Sequence, residues 1–154
     1  MKWIIEDTRQ QAGKHEVKHA SFKAAEISLE RCALPAGDYA MPPCVAVDTK
    51  ADMAEIAANI GSPKEHSRFR RECQKAQRMG THLYVLVENT DGIKTVQDVA
   101  RWQNPRREYS PKAIDGVRLC RAMLTMEERY GVTFVFCRPE QAAAYIMRLL
   151  ERGI

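Results

Sequence analysis

The chain has 154 residues, of which 45% are hydrophobic and 29% charged, a balance typical of a globular domain with its own core. No apolar run approaches the roughly 20 residues that span a bilayer, and the first residues lack the apolar segment of a signal peptide. Five cysteines without a Cys-x-x-Cys pair argue against a disulfide framework or a thiolate zinc site. We therefore expect residues 1–154 to form a single domain of a cytoplasmic protein with no membrane partner.

The first half of the chain is predicted to alternate between strands and helices. A strand is expected at residues 3–5, a helix at 14–23 and a second strand at 27–34. Residues 44–47 carry valine at alternate positions, which predicts a partly buried strand that continues to residue 50. The pair Pro42-Pro43 is expected to break the chain before this strand.

The second half continues the same alternation. Asp52 is placed to cap a short helix over 52–60, and a longer helix follows over 64–79. Strands are predicted at 82–88 and 132–137, and helices at 95–102, within 111–130 and at 140–151. Strands separated by helices predict an α/β domain, with a mixed central sheet and helices on both of its faces.

Two aspartates flank the predicted strand at 44–50. Asp38 precedes it, and Asp48 and Lys50 lie at its end, where side chains two apart share one face. Two converging carboxylates suit a hard cation such as Mg²⁺ or Mn²⁺, and a neighbouring lysine can orient a water molecule. This arrangement, with the backbone carbonyl of Thr49 as a further oxygen ligand, matches that of PD-(D/E)XK nucleases. The alternative is that these residues are an ordinary turn and an exposed strand end.

Asp7 follows the first predicted strand. Strand ends are where sites are assembled in open α/β sheets, so Asp7 is a candidate third carboxylate. The alternative is an aspartate that simply ends the strand in a turn.

A basic stripe is predicted on the helix over 64–79. Five positive residues recur at intervals of four, three, four and three, with Phe69, Cys73 and Ala76 on the opposite face. Like charges at this spacing repel one another, so the stripe is easier to understand if a polyanion lies along it. The alternative is a solvated helix face. The stripe consists of Lys64, Arg68, Arg71, Lys75 and Arg78.

Residues 15–19 form a literal His-Glu-x-x-His sequence. On a helix, His15 and His19 could bind Zn²⁺, with Glu16 as general base of a metallopeptidase. No third ligand follows in a recognisable arrangement, so zinc proteolysis is the weaker alternative. Glu16 could instead face the carboxylate cluster.

These motifs resemble the XPF-type nuclease domain, a PD-(D/E)XK module of flap and junction endonucleases. The resemblance rests on the aspartate after the first strand (Asp7), on Gly37-Asp38, on Asp48-Thr49-Lys50 and on the basic helix. In this chain Asp48-Thr49 stands where the family has Glu-Arg, and the family's downstream aspartate is out of register, with Asp52 or Glu55 as the only substitutes.

The resemblance implies a restriction-endonuclease-like fold and a Mg²⁺- or Mn²⁺-dependent DNA endonuclease of repair or recombination. The implied form is a standalone, bacterial or phage-like domain that acts on DNA, with branched or flap structures as one class of substrate. Asp7, Asp38, Asp48 and Lys50 would be catalytic, and Arg9 and Arg71 would contact phosphates. A catalytically silent DNA-binding module of the same fold is the alternative.

The resemblance also implies a homodimer, because the family pairs its nuclease domains. The final predicted helix carries more apolar residues than one core-facing stripe requires. We expect these residues to supply the dimer surface: Ala142, Ala143, Tyr145, Ile146, Leu149 and Leu150.

Overall fold

The computed structural model describes residues 2–41 and 45–152, so the predicted chain break at Pro42-Pro43 and the predicted strand start at Cys44 lie outside the described residues. Within these ranges the strands form one six-stranded sheet. They are β1 (Lys2–Asp7), β2 (Ile27–Cys32), β3 (Tyr39–Met41), β4 (Val45–Lys50), β5 (His82–Glu88) and β6 (Thr133–Cys137).

The strands lie in the order β2-β1-β3-β4-β5-β6. Strand β3 is antiparallel to β1 and to β4, and every other neighbouring pair is parallel. The carboxyl ends of β1, β2, β4, β5 and β6 therefore meet at one edge of the sheet, together with the start of β3. This edge collects the polar residues that end the strands.

Five α-helices are described, and three single turns of 3₁₀ helix connect them to the sheet. The predicted helix over 95–102 is such a turn, Gln97–Arg101, and the others are Pro105–Glu108 and Pro139–Gln141. The α-helices are α1 (Glu16–Ala24), α2 (Met53–Gly61), α3 (Pro63–Arg78), α4 (Gly116–Tyr130) and α5 (Ala142–Arg152).

Helix α2 begins with a reciprocal cap. The Asp52 carboxylate accepts a hydrogen bond from the Glu55 amide at 2.8 Å, and the Glu55 carboxylate accepts one from the Ala51 amide at 2.6 Å. Both carboxylates thus satisfy amides that the first turn of a helix leaves free. The prediction of Asp52 as a capping residue is confirmed.

The helices cover both faces of the sheet and bury two apolar cores. On one face, α2, α3 and α4 pack Ile56, Phe69 and Met123 against alternate strand residues such as Val85. On the other face, α1 and α5 pack against the strand residues that point the opposite way, which include Val47 and Leu86. The predicted mixed α/β sheet with helices on both faces is confirmed.

Helix α5 buries its apolar residues within the chain. Of the six residues expected to form a dimer surface, only Tyr145 is partly exposed, and the other five have exposed fractions of 7% or less. The prediction that α5 offers surplus apolar surface is wrong, because the helix lies across β3, β4 and β5 and contacts α1 at its side. Among the described residues, no helix is both long and apolar enough to cross a membrane.

Candidate active site

A cavity of about 460 Å³ opens at the edge of the sheet where the strands end. The ends of β4 and β5, the start of β3, the β1–α1 loop and α1 all contribute to its wall. The wall is strongly polar, as parallel strand ends and the loops that follow them usually are. Its charged and imidazole side chains are Arg9, Lys14, His15, Lys18, Asp38, Asp48, Lys50, Glu55 and Glu88.

The backbone of Asp38 is fixed between two strands. Its amide donates to the carbonyl of Val47 at 2.8 Å, and its carbonyl accepts from the amide of Asp7 at 2.7 Å. The preceding residue, Gly37, has a φ of +79°, a left-handed conformation that side chains rarely adopt. The turn at Gly37 therefore delivers Asp38 beside Asp48, because Tyr39 pairs with Val47 in the adjacent strands.

The Asp38 carboxylate is oriented by Thr49. Its Oδ2 accepts hydrogen bonds from the Thr49 amide at 2.6 Å and from the Thr49 hydroxyl at 2.7 Å. In the described part of the chain no hydrogen bond engages Oδ1, which leaves this oxygen available in the cavity. Thr49 thus fixes the rotamer of a candidate ligand, a role that the sequence pattern did not indicate.

Asp48 and Lys50 form a buried ion pair. The Lys50 ammonium lies 2.8 Å from Asp48 Oδ2, and both side chains are about 90% buried or more. Oδ2 is buried, and the Lys50 ammonium is its charged partner. Phe69 packs against Lys50, with its ring centroid 4.9 Å from the ammonium nitrogen.

The electrostatics of this pair favour an additional cation. Burial raises the pKa of the Asp48 carboxyl, against the lowering effect of Lys50 and with a further rise from Asp38. Burial lowers the pKa of the Lys50 ammonium, but the attraction and hydrogen bond of Asp48, together with the charges of Glu55 and Glu72, raise it by more, so the net shift is upward. A cation between Asp38 and Asp48 would relieve the repulsion between their carboxylates.

Asp7 is not part of the cavity wall. Its side chain is 3% exposed; Oδ1 accepts from the Leu34 amide at 3.0 Å, and Oδ2 pairs with the Arg9 guanidinium. The structure therefore gives Asp7 a positioning contact with Arg9, which does line the cavity, and does not bring its carboxylate to Asp38 and Asp48. Arg9 also donates to the Leu34 carbonyl at 3.0 Å.

A second ion pair crosses the cavity wall from α1 to β5. The Lys18 ammonium lies 2.9 Å from Glu88 Oε2, and these side chains are only 14% and 10% exposed. His15 lies beside them, and burial, followed by the Lys18 charge, lowers the pKa of its imidazole. Lys18 and Glu88 were not predicted as cavity residues from the sequence. The one signal for Glu88 is that it is an acidic residue at the end of a buried strand.

The His-Glu-x-x-His residues diverge. His15 lines the cavity, whereas His19 uses Nε2 to contact the buried Glu6 carboxylate, which also pairs with Arg31 at 3.2 Å. Glu16 is exposed at the start of α1 and does not line the cavity. The His19 imidazole is thus engaged by Glu6 while the His15 imidazole faces the cavity, so the two do not form the paired ligands of a zinc peptidase.

The basic stripe lies on the outer face of α3. All five of its residues are exposed, and Arg68 contacts Glu65 at 3.8 Å. Phe69, Cys73 and Ala76 are buried on the opposite face of the helix, as predicted. None of the five stripe residues lines the cavity, so the stripe and the carboxylates form two separate surfaces.

Whether the cavity suits a metal ion depends on the side-chain donor atoms that it offers. Among the described residues, no group of three or more His, Cys, Asp or Glu side chains is arranged to hold one. Of the carboxylates that line the cavity, Glu55 caps α2 and Glu88 pairs with Lys18. Those of Asp38 and Asp48 remain, and no described residue donates a hydrogen bond to Asp38 Oδ1. This set fits Mg²⁺ or Mn²⁺, which accept a few protein oxygens and keep several waters, and it does not fit tetrahedral zinc.

Solved structures with the same fold include XPF from Aeropyrum pernix, at a TM-score of 0.67 and 17% identity over 96% of this chain. The complex of XPF from Aeropyrum pernix with DNA matches at a TM-score of 0.65 and 16% identity over 97% of this chain. The present chain spans 63% and 64% of those two chains, which is less than two thirds of their length.

None of the curated proteins matches the chain. The ERCC4 domain family matches residues 6–150, from the end of β1 to helix α5. Together with the XPF fold, this match confirms the resemblance that was based on Asp7, Gly37-Asp38, Asp48-Thr49-Lys50 and the basic helix. The chain therefore belongs to the ERCC4 domain family.

Proposed function

We propose that this protein is a metal-dependent DNA endonuclease that hydrolyses phosphodiester bonds at the cavity lined by Asp38, Asp48 and Lys50. The observation that carries the proposal is that Asp38 and Asp48 line one cavity beside the Lys50 ammonium, with Asp38 held by Thr49 and Asp48 held by Lys50. Membership of the ERCC4 domain family and the likeness to XPF support DNA as the substrate.

Asp38, Asp48 and the backbone carbonyl of Thr49 would hold Mg²⁺ or Mn²⁺. A divalent cation supplies two effects at such a site: it lowers the pKa of a bound water and stabilises negative charge on phosphate oxygens. Thr49 keeps Asp38 in one rotamer through two hydrogen bonds, so the ligand is preorganised before the cation arrives.

Lys50 acts as a donor in this mechanism. Asp48 holds its ammonium at the cavity wall, where it can hydrogen-bond to the attacking water or to a phosphate oxygen. From this position Lys50 would orient the attacking water. Asp7 contributes indirectly, by holding the Arg9 guanidinium at the rim where a phosphate would pass.

The exposed stripe on α3 would bind the DNA backbone beyond the cavity. Lys64, Arg71, Lys75 and Arg78 form no ion pair with any described residue, so they are available to phosphates. Branched or flap structures are the substrate class that we propose within DNA. A homodimer also belongs to this proposal, although its contact surface has to be other than the buried face of α5.

One experiment tests the chemistry. We expect the full chain to nick plasmid and branched DNA in Mg²⁺ or Mn²⁺, and not in EDTA. Asp48→Ala should lower the rate by at least about a hundredfold, because it removes a ligand. It also leaves the buried Lys50 ammonium without its counter-charge, so circular dichroism has to show that the variant is folded at the assay temperature before its DNA affinity is compared with that of the wild type. Asp91→Ala, which removes an exposed carboxylate outside the cavity, is the matched control and should cleave at the wild-type rate.

Two outcomes would contradict the proposal. Wild-type cleavage by Asp48→Ala would show that Asp48 is not a ligand, and full activity after exhaustive chelation would exclude the metal mechanism. DNA binding without cleavage in any divalent cation would favour the silent DNA-binding module. One observation favours that alternative: among the described residues, no three acidic, imidazole or thiol side chains are arranged to hold a metal ion.

A further inference from the structure

A second basic surface lies between helices α3 and α4, away from the carboxylates. It is a groove of about 380 Å³, which we call the α3–α4 groove. Its polar wall shares no residue with the catalytic cavity, and no acidic side chain lines it. The side chains that carry the argument are His66 and Arg70 from α3 and Arg118, Arg121, Thr125 and Arg129 from α4.

The four arginines of the groove are unpaired. Within the described ranges, none of their guanidinium groups forms an ion pair or a side-chain hydrogen bond. Arginines elsewhere in the chain commonly contact a carboxylate. Those that do are Arg9, Arg31, Arg68, Arg101, Arg107 and Arg138.

Like charges gathered without a counter-charge repel one another. Neighbouring like charges on a helix each cost a few tenths of a kcal/mol, and here two helices add their charges to one concave surface. Arg70 belongs to this groove and not to the stripe on the outer face of α3, because the groove lies on its side of the helix. An anion in the groove would remove the repulsion.

His66 supplies an independent observation. Its Nδ1 atom is buried and has no hydrogen-bond partner among the described residues, although the ring lines the groove. A buried polar atom without a partner costs free energy. With the ring proton on Nδ1, His66 could donate to a ligand oxygen or to a water in the groove.

The length of the groove favours an extended anion over a compact one. From Arg118 to Arg129 the α4 helix advances about 16 Å, at 1.5 Å per residue. One strand of DNA advances about 3.4 Å per nucleotide, so the row of arginines matches several consecutive phosphates. A single inorganic phosphate would contact only one end of it.

We propose that the α3–α4 groove binds the sugar–phosphate backbone of DNA at a distance from the cleaved bond. This inference rests on the proposed function, in that DNA is the substrate. The groove contributes affinity and not chemistry, so its loss affects binding of DNA at low concentration and leaves the cleavage rate at saturating DNA unchanged.

The test compares two double variants of the full chain. Arg118→Gln/Arg121→Gln removes two groove charges, and Arg138→Gln/Arg148→Gln removes two exposed charges that have other partners, Glu140 and Tyr145. Both variants carry the same net charge, and circular dichroism and urea unfolding check that both are folded. Binding of a fluorescent DNA duplex is measured in EDTA, which prevents cleavage, over a range of salt concentrations.

For the groove variant, we expect the slope of log K against log salt to fall by about two and the affinity at ~0.1 M salt to drop about tenfold or more. The control variant should stay within about twofold of the wild type, because its two charges lie outside the groove and already have other partners. Equal losses of affinity in both variants would show that the effect comes from net charge and not from the groove, and would overturn the proposal. Normal duplex binding by the groove variant would also overturn it. If inorganic phosphate then raises the Tm of the wild type and not that of the groove variant, the groove is a site for a compact anion.

The two proposals fail differently. If the wild type binds no DNA, the proposed function is wrong and the groove loses its ligand. If the wild type binds and cleaves DNA while the groove variant matches its control in slope and affinity, only the groove proposal is overturned.

Discussion

Gly37 is the residue on which the position of Asp38 depends. It combines a φ of +79° with close packing, since a Cβ there would lie 3.1 Å from the Ala46 Cβ and 3.1 Å from the Val47 carbonyl oxygen. Its amide also donates to the Glu72 carboxylate at 2.8 Å. A side chain would therefore both strain the backbone and push the start of β3 away from β4.

We expect Gly37→Ala to lower the free energy of unfolding by about 2 kcal/mol or more and to reduce cleavage at saturating metal. Gly92→Ala is the control, because Gly92 has a φ of +77° but no atom within 4 Å of an added Cβ. Gly92→Ala should lose less unfolding free energy, because only the backbone strain remains, and it should keep full activity. Urea unfolding and plasmid nicking measure the two effects; equal stability and equal activity of the variants would contradict the role given to Gly37.

The Lys18–Glu88 ion pair ties α1 to the end of β5. Both side chains are mostly buried, so removing one partner leaves the other charge without compensation. We expect Lys18→Met to cost about 3 kcal/mol of unfolding free energy, and Lys18→Met/Glu88→Leu to cost clearly less than the sum of the single changes. A urea-unfolding double-mutant cycle measures this coupling; strictly additive costs would mean that the pair contributes nothing.

Residues close in the sequence could be predicted as a site, and distant ones could not. Asp38, Asp48 and Lys50 were recognisable because adjacent strands of a hairpin carry them at fixed spacing, and the structure brings all three to one cavity. Lys18 reaches Glu88 only because of the direction in which α1 crosses the sheet edge. Asp7 was expected at the cavity because it ends β1, but its rotamer is set by the Leu34 amide and Arg9.

At the scale of elements, most strands and helices follow from periodicity, and the exceptions have a physical reason. Strand β3 was not predicted, because Tyr39–Met41 is three residues long and a period of two needs more positions to be recognised. The apolar run of β5 and the Asp52 cap of α2 are local properties, and they were predicted within a residue or two. The burial of α5 depends on the tertiary structure, because the apolar pattern of a helix does not show how many other elements pack against it.

The burial of α5 gives a prediction about the fold. Ile146 is fully buried between α5 and the sheet, whereas Ala144 on the same helix is exposed. We expect Ile146→Asp to lower the free energy of unfolding by at least about 4 kcal/mol, because it places a charge in an apolar core. Ala144→Asp should change it little.

Circular dichroism and light scattering together measure the outcome. A dimer that uses another surface would keep twice the 17.5 kDa chain mass in Ala144→Asp. If Ile146→Asp stays as stable as the wild type and its mass falls from that of a dimer to that of a monomer, α5 forms an interface between two chains, which would contradict its burial within one chain.

At the scale of the whole molecule, we expect the fold to form without a metal ion. Two apolar cores hold the helices on both faces of the sheet, and the candidate metal ligands lie at its edge. A metal that binds only the folded state still stabilises it, by about 1.4 kcal/mol at a concentration ten times its Kd. For a chain of this size that corresponds to a rise in Tm of about 3–5 °C.

We therefore expect chelation to abolish cleavage while leaving the Tm of the wild type within about 5 °C of its metal-bound value. Mg²⁺ or Mn²⁺ should raise the Tm of the chelated wild type and of Asp91→Ala by the same amount, and should not raise that of Asp48→Ala, which lacks a ligand. Thermal unfolding followed by circular dichroism measures all three proteins in EDTA and in excess metal. Unfolding of the wild type by EDTA at room temperature would instead indicate a structural metal, as in a zinc protein, and an equal metal-induced rise in Asp48→Ala would place the ion elsewhere on the molecule.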